Sequence, residues 1–197
     1  AKTAEGGYRM GNPDAPIKLV EYGSMTCPHC ADVSAKSAVP LRDEFVASGR
    51  VSFEFRNFVR DAIDVTVSLL ARCGSPESFF PLTEQAFANQ AAMMEKAQQA
   101  GEAAYTAAMS QPDNKRNIAL AELMGLTDYF AARGIAKDQA NVCLANVAEA
   151  QGMAKRTQEQ SEQFDIQGTP TFLVNGQSIG SMDWEELRPK LQNMGAR

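Results

Sequence analysis

No uninterrupted apolar run in the 197 residues reaches the length needed to cross a bilayer, so no membrane-spanning helix is expected. A basic excess is missing too: 19 Lys plus Arg stand against 24 Asp plus Glu, a net charge of −5. That balance leaves no electrostatic footprint for nucleic acid or for an anionic membrane surface. No internal repeat or low-complexity tract occurs, and no signal peptide is recognisable. Histidine is almost absent. The only one, His29, stands between two cysteines in Cys27-Pro28-His29-Cys30.

That tetrapeptide is the strongest chemical signal in the chain. Two intervening residues let both sulfurs meet on the first turn of a helix, where a disulfide can open and close without disturbing the fold. A first cysteine at a helix N-terminus faces unpaired backbone N–H groups, which favour its thiolate. Cys27 then reads as the nucleophile when reduced and the attacked sulfur when oxidised. Cys30, one turn in, reads as the resolving thiol. His29 is placed to donate to the Cys27 thiolate and, if protonated, to add positive charge beside it. Pro28 suits the first helical turn, since its missing N–H would need no partner there.

The other cysteines, Cys73 and Cys143, carry no motif. Either they are two inert buried thiols or they form a structural disulfide; an even count beside a redox pair favours the bridge. Closing about 70 residues would constrain the unfolded chain by on the order of 4 kcal/mol and requires an oxidising compartment.

Residues 1–15 are polar and turn-rich, and read as an N-terminal arm. Ile17 to Tyr22 is a short strand, with Glu21 on the same face as Ile17 and Leu19. Thr26 is a plausible N-cap for the helix holding both sulfurs. That helix should run towards Ser48, with Pro40 kinking or dividing it. Val51 to Val59 alternates as a strand, completing a βαβ unit with a parallel pair. From about Asp61 to Phe164 period-two alternation disappears, and breakers divide the segment into four or five helices, the last from about Val147. Thr171 to Val174, the Asn175-Gly176 turn and Gln177 to Ile179 form a hairpin. A final helix carries Trp184, Leu187 and Leu191, with Pro189 expected to kink or end it. Met93, Met94, Met109 and Met124 suit either core packing between helices or an adaptable peptide-binding face.

Cys27-Pro28-His29-Cys30 after a strand, Gly168-Thr169-Pro170-Thr171-Phe172 before a hairpin, and helices between them resemble the DsbA-like branch of the thioredoxin superfamily. Gly11-Asn12-Pro13-Asp14-Ala15-Pro16 resembles the lead-in to that family's first strand. The resemblance implies an α/β thioredoxin fold with an inserted helical domain: residues 1–61 and 165–197 thioredoxin-like, 62–164 inserted. It implies that Pro170 is cis and lies against the sulfurs, where the Thr169 backbone pairs with an extended substrate peptide. It also puts an acidic residue at Glu21, whose place on an apolar face suits a raised pKa and a proton shuttle to Cys30.

Pro-His between the sulfurs, as in the family's oxidases, implies donation of disulfides to reduced or unfolded substrate proteins without a cofactor. Threonine before the proline is used by many of the family's isomerases, so a disulfide isomerase or reductase stands as the alternative. By resemblance the chain is a periplasmic mature form after signal-peptide removal. Its electron acceptor would be a DsbB-like membrane oxidase, and a monomer is expected. From other classes come a metal-binding module using all four cysteines and a glutathione-using transferase on the same scaffold. Covalent haem is excluded, because Ala31 stands where CxxCH needs histidine.

Overall fold

The computed structural model describes residues 1–196. Five strands form one mixed sheet: β1 (Tyr8–Met10), β2 (Ile17–Gly23), β3 (Val51–Asn57), β4 (Thr171–Val174) and β5 (Gln177–Gly180). Their order is β1-β3-β2-β4-β5, with β2 and β3 parallel and the other pairs antiparallel. β2 is central, so Glu21 sits between Phe55 of β3 and Phe172 of β4. The N-terminal segment is more than an arm. Tyr8, Arg9 and Met10 pair with β3, and Tyr8 stacks on Phe79 with ring centroids 3.9 Å apart. Three residues are too short to show alternation; partners remote in sequence make this strand.

The crossover from β2 to β3 is helix α1 (Pro28–Pro40), prolonged by a π-helical turn over Leu41–Val46. Pro40 offers no N–H for the usual ladder. The following turn takes wider spacing, with the Ala47 N–H donating to the Arg42 carbonyl, and the chain keeps its direction. The last helix, named α9 below, also passes through its proline. Asp183 and Glu186 form a capping box at its start, and Pro189 lies inside Trp184–Asn193. Pro189 and Glu185 are exposed, so water can take the unpaired carbonyl, while Trp184, Leu187 and Leu191 stay buried. Packing of Trp184 edge-on against Phe45, at 5.9 Å, holds the helix where propensity alone would end it.

Between β3 and β4 lie seven helical segments rather than four or five: α2 (Ala62–Ala71), α3 (Phe79–Ala88), α4 (Gln90–Met109, two helices joined at a kink where Gly101 has φ +83°), α5 (Asp113–Leu123), α6 (Leu126–Ala131), α7 (Lys137–Leu144) and α8 (Val147–Phe164). One extra division falls at a break too brief to read from the chain, another at a glycine that reads as a breaker. Only Asn89 separates α3 from α4, and Gly125, at φ +66°, turns α5 into α6. α9 (Trp184–Asn193) closes the order.

One apolar core runs from the sheet (Leu19, Phe53, Phe55, Phe172) through Val33 of α1 into the helices (Leu70, Phe79, Leu120, Phe130, Leu144). Met93 and Met124 belong to it, whereas Met94 is exposed. The opposite sheet face, Val20, Tyr22 and Leu173, is covered by Ile166 with Phe164 at the end of α8. Even the polar face of β3 is covered. Glu54 there takes two bonds from Arg56, at 2.8 and 3.1 Å, and one from the Thr3 hydroxyl at 2.7 Å. Among the described residues no helix is long and apolar enough to cross a membrane.

Candidate redox site

The loop leaving β2 turns at Cys27, which is itself the N-cap of α1 (φ −88°, ψ 116°). The cap is therefore a sulfur rather than the Thr26 hydroxyl expected from residue preference. The Cys30 backbone N–H donates to Cys27 Sγ at 3.5 Å, a bond open to sulfur because the residue stays extended and its side chain faces the first turn. Thr26 turns the other way and donates to Asp61 Oδ2 at 3.2 Å. Pro28 follows at the first helical position. Cys27 and Cys30 are free thiols, 5% and 0% exposed.

Thr169 and Pro170 arrive from the far end of the chain. The Cys27 S–H donates to the Thr169 carbonyl at 3.3 Å, across 142 residues of sequence, and the Thr169–Pro170 peptide is cis. His29 is different. Its side chain is exposed and, among the described residues, forms no hydrogen bond to Cys27; its backbone N–H is the part that favours the thiolate.

The electrostatics of the two sulfurs diverge. A bond from the Cys30 thiol, with help from Thr169 and the backbone N–H groups of Cys30 and His29, overcomes burial and lowers Cys27 to about 5. Burial, the bond it gives to Cys27 and the nearby Glu21 carboxylate all push Cys30 far up. Glu21 is 5% exposed and raised to about 8, by burial first and the Cys27 sulfur second. One sulfur is held as a thiolate, its partner as a thiol, with a protonatable carboxyl beneath them.

A polar network behind this loop was invisible in the sequence. Asp64, fully buried on α2, accepts from the Ser24 hydroxyl at 2.5 Å, the Met25 N–H at 2.9 Å and the Arg60 N–H at 3.0 Å. Burial still raises its carboxyl to about 6. Arg60 Nε donates to Ser24 Oγ at 2.9 Å. From the start of α4, Gln90 donates to the carbonyls of Met25 (2.9 Å) and Cys27 (3.0 Å). The inserted helices thus hold the approach to Cys27 from both sides. Asp61 caps α2, accepting from the Asp64 N–H at 2.8 Å, but nothing local connects Asp64 or Gln90 to residues 24–27.

Cys73, just past α2, is bonded to Cys143 on α7, with Cα atoms 5.6 Å apart. The bridge removes two of the four ligands that a metal site built on every cysteine would need.

Comparison with known proteins matches the geometry. Residues 3–193 match the family model described as Thioredoxin. The crystal structure of a protein-disulfide isomerase from Novosphingobium aromaticivorans superposes with a TM-score of 0.90 at 35% identity, covering 98% of both chains. That of alpha-DsbA1 from Wolbachia pipientis gives 0.73 at 18% identity, over 95% of this chain and 89% of the other. A Rickettsia bellii chain provisionally named a protein-disulfide oxidoreductase is 25% identical over 89% of this chain and 59% of its own length. The chain thus spans little more than half of the Rickettsia relatives it matches. The match along nearly the whole chain, on a sheet with helices inserted between its β3 and β4, makes it a member of the thioredoxin family with the DsbA-like form of the fold.

Proposed function

We propose that the protein is a thiol–disulfide oxidoreductase that donates the Cys27–Cys30 disulfide to reduced substrate proteins. The observation that carries this reading is the opposed protonation of the two sulfurs. A Cys27 thiolate with a pKa of about 5 lies two units below neutral pH. That stabilises the reduced form by about 2.7 kcal/mol and makes the disulfide more oxidising by roughly 60 mV.

In the proposed cycle a substrate thiolate attacks Cys27 Sγ, the Cys27–Cys30 bond breaks, and Cys30 leaves as a thiolate. Glu21 supplies its proton, giving a mixed disulfide on Cys27 and a Cys30 thiol. A second substrate thiolate then attacks the substrate sulfur of the mixed disulfide and releases Cys27. The Thr169 backbone beside Pro170 aligns an extended substrate segment as a short β-pairing. Residues 1–61 and 165–197 act as the thioredoxin-like unit, and 62–164 as an insertion that anchors the Cys27 loop. The Cys73–Cys143 bridge supports an oxidising compartment, the periplasm in a bacterium with two membranes. There a DsbB-like membrane oxidase would restore the disulfide of a monomeric protein.

Oxidised protein mixed with a reduced, unfolded substrate protein should transfer its disulfide stoichiometrically, with the mixed disulfide trapped in Cys30→Ser. Absence of transfer overturns the reading. A second reading, isomerase, is favoured by the 35% identity to a protein-disulfide isomerase and by Thr169 before the proline. Rearrangement of a scrambled substrate by the reduced protein, without net disulfide transfer from the oxidised one, would select it.

A further inference from the structure

Glu21 must exchange its proton with solvent in every cycle, yet it is buried, and among the described residues its carboxyl has no hydrogen-bond partner in the protein. It lines a cavity of about 30 Å³ whose polar lining is Glu21, Ser34, Ser37, Thr83 and Glu84, and which neither sulfur borders. The remaining wall is largely apolar, including Phe53, Phe55 and Phe87. A space of this size exceeds what one water needs, and such a water requires two or more polar partners.

Thr83 marks where that water belongs. It is 4% exposed, and its hydroxyl is buried with no partner. A helical threonine commonly returns its hydroxyl to the preceding turn, as Thr66 does to the Ala62 carbonyl at 2.8 Å. Thr83 does not, which leaves an orphan hydroxyl on the wall it shares with Glu21. Glu84, the next residue of α3, shares the same wall and is 28% exposed at its side chain, so it reaches solvent as well. Arg42 Nη1 lies 3.6 Å from Glu84 Oε1, and Asp43 is the other charge facing it from the turn after α1.

We propose that water in this cavity, the Thr83 hydroxyl and the Glu84 carboxyl form a proton route between Glu21 and solvent. The inserted helix α3 thereby serves the redox pair through Glu21, without touching either sulfur. The inference rests on Glu21 being the shuttle for Cys30. The step moves a proton and no electrons. When Cys30 leaves the disulfide, the Glu21 carboxyl protonates its thiolate and becomes a carboxylate. That carboxylate takes a proton from the cavity water, which is replenished through Thr83 from Glu84 and bulk solvent. Re-oxidation runs the route in reverse: Glu21 accepts the Cys30 proton as Cys30 attacks a mixed disulfide on Cys27.

The test follows resolution of a Cys27–glutathione mixed disulfide, formed by adding oxidised glutathione to reduced protein and quantified by acid quench and mass. Thr83→Val should slow resolution at least fivefold near pH 7 and Thr83→Ser less than twofold, with the Cys27 pKa unmoved in both. Glu84→Gln should slow it and remove a step from its pH profile. Wild-type rates in Thr83→Val alongside a slow Glu21→Gln overturn the route and leave the shuttle standing. A wild-type rate in Glu21→Gln overturns both. Equal slowing in Thr83→Val and Thr83→Ser makes Thr83 structural and overturns the route as well. Should Thr83→Val fail to fold, an unchanged rate and pH profile in Glu84→Gln overturns it alone.

Discussion

Two cysteine pairs in one chain have the same atoms and opposite surroundings. Cys73 and Cys143 tie the end of α2 to α7, and Cys73 Sγ lies 3.5 Å from the carbonyl oxygen of Gln139. Cys27 caps a helix, and its sulfur accepts from the Cys30 N–H. Cys27 Sγ also lies near a carbonyl, that of Thr169 at 3.3 Å, so what sets it apart is the N–H groups at the helix start, which stabilise a thiolate. The difference teaches that reactivity is set by the donors aimed at each sulfur, at Cys27 the Cys30 thiol first and the backbone N–H groups after it, rather than by cysteine itself. Burial does not separate the roles either, since Cys30 is the most buried of the redox pair and its thiol is held protonated.

The contrast breaks most sharply by mutation of the pairs themselves. Cys27→Ser should abolish disulfide transfer outright. Cys73→Ala with Cys143→Ala should keep transfer while lowering stability by about 4 kcal/mol, read by denaturant unfolding.

Glu21→Gln comes next, with a sign fixed by its raised pKa. The folded group titrates near 8 and the unfolded one near 4.3, so the favourable difference is complete below pH 4.3 and is lost as pH rises through 8. The glutamine variant escapes that loss. It should match the reduced wild type at pH 4 and exceed it by on the order of 5 kcal/mol above pH 8. An equal margin at both values would contradict the assignment.

Gln90→Ala leaves the Met25 and Cys27 carbonyls without their side-chain donor and should cost roughly 1–2 kcal/mol. The disulfide between Cys73 and Cys143 should stay intact. The smallest effect is expected from Thr169→Val. Its hydroxyl is buried without another partner and lies beside Cys27, so its loss should raise the Cys27 pKa, by less than loss of the Cys30 thiol would. A thiolate absorbance titration reads this directly.

How much of this could be read from the chain follows from the range of each interaction. The strands at Ile17, Val51 and Thr171 and the Asn175-Gly176 turn announce themselves by local pattern. β1 does not, because its three residues become a strand only against β3. A kink or division at Pro40 is legible from the missing N–H, and α1 does end there and go on as a π-helical turn; at Pro189 packing carries the helix through instead. At the site, Cys27, Cys30 and Glu21 are written in one short segment. Thr169 and Pro170 needed the family resemblance to be brought beside them. Asp64 and Gln90 reach the Cys27 loop across 39 and 63 residues, and Thr83 matters through a cavity. No local spacing encodes either. At His29 the position between the sulfurs suggests a side-chain role, and the structure adds a contribution from its backbone N–H that residue type does not reveal.

The most direct measurement is the redox equilibrium of Cys27–Cys30 against glutathione, with Cys73 and Cys143 tracked separately by alkylation and mass. A potential at or above about −180 mV for the first pair, with the second oxidised throughout, is the expected result. A first pair near thioredoxin's roughly −270 mV would contradict it.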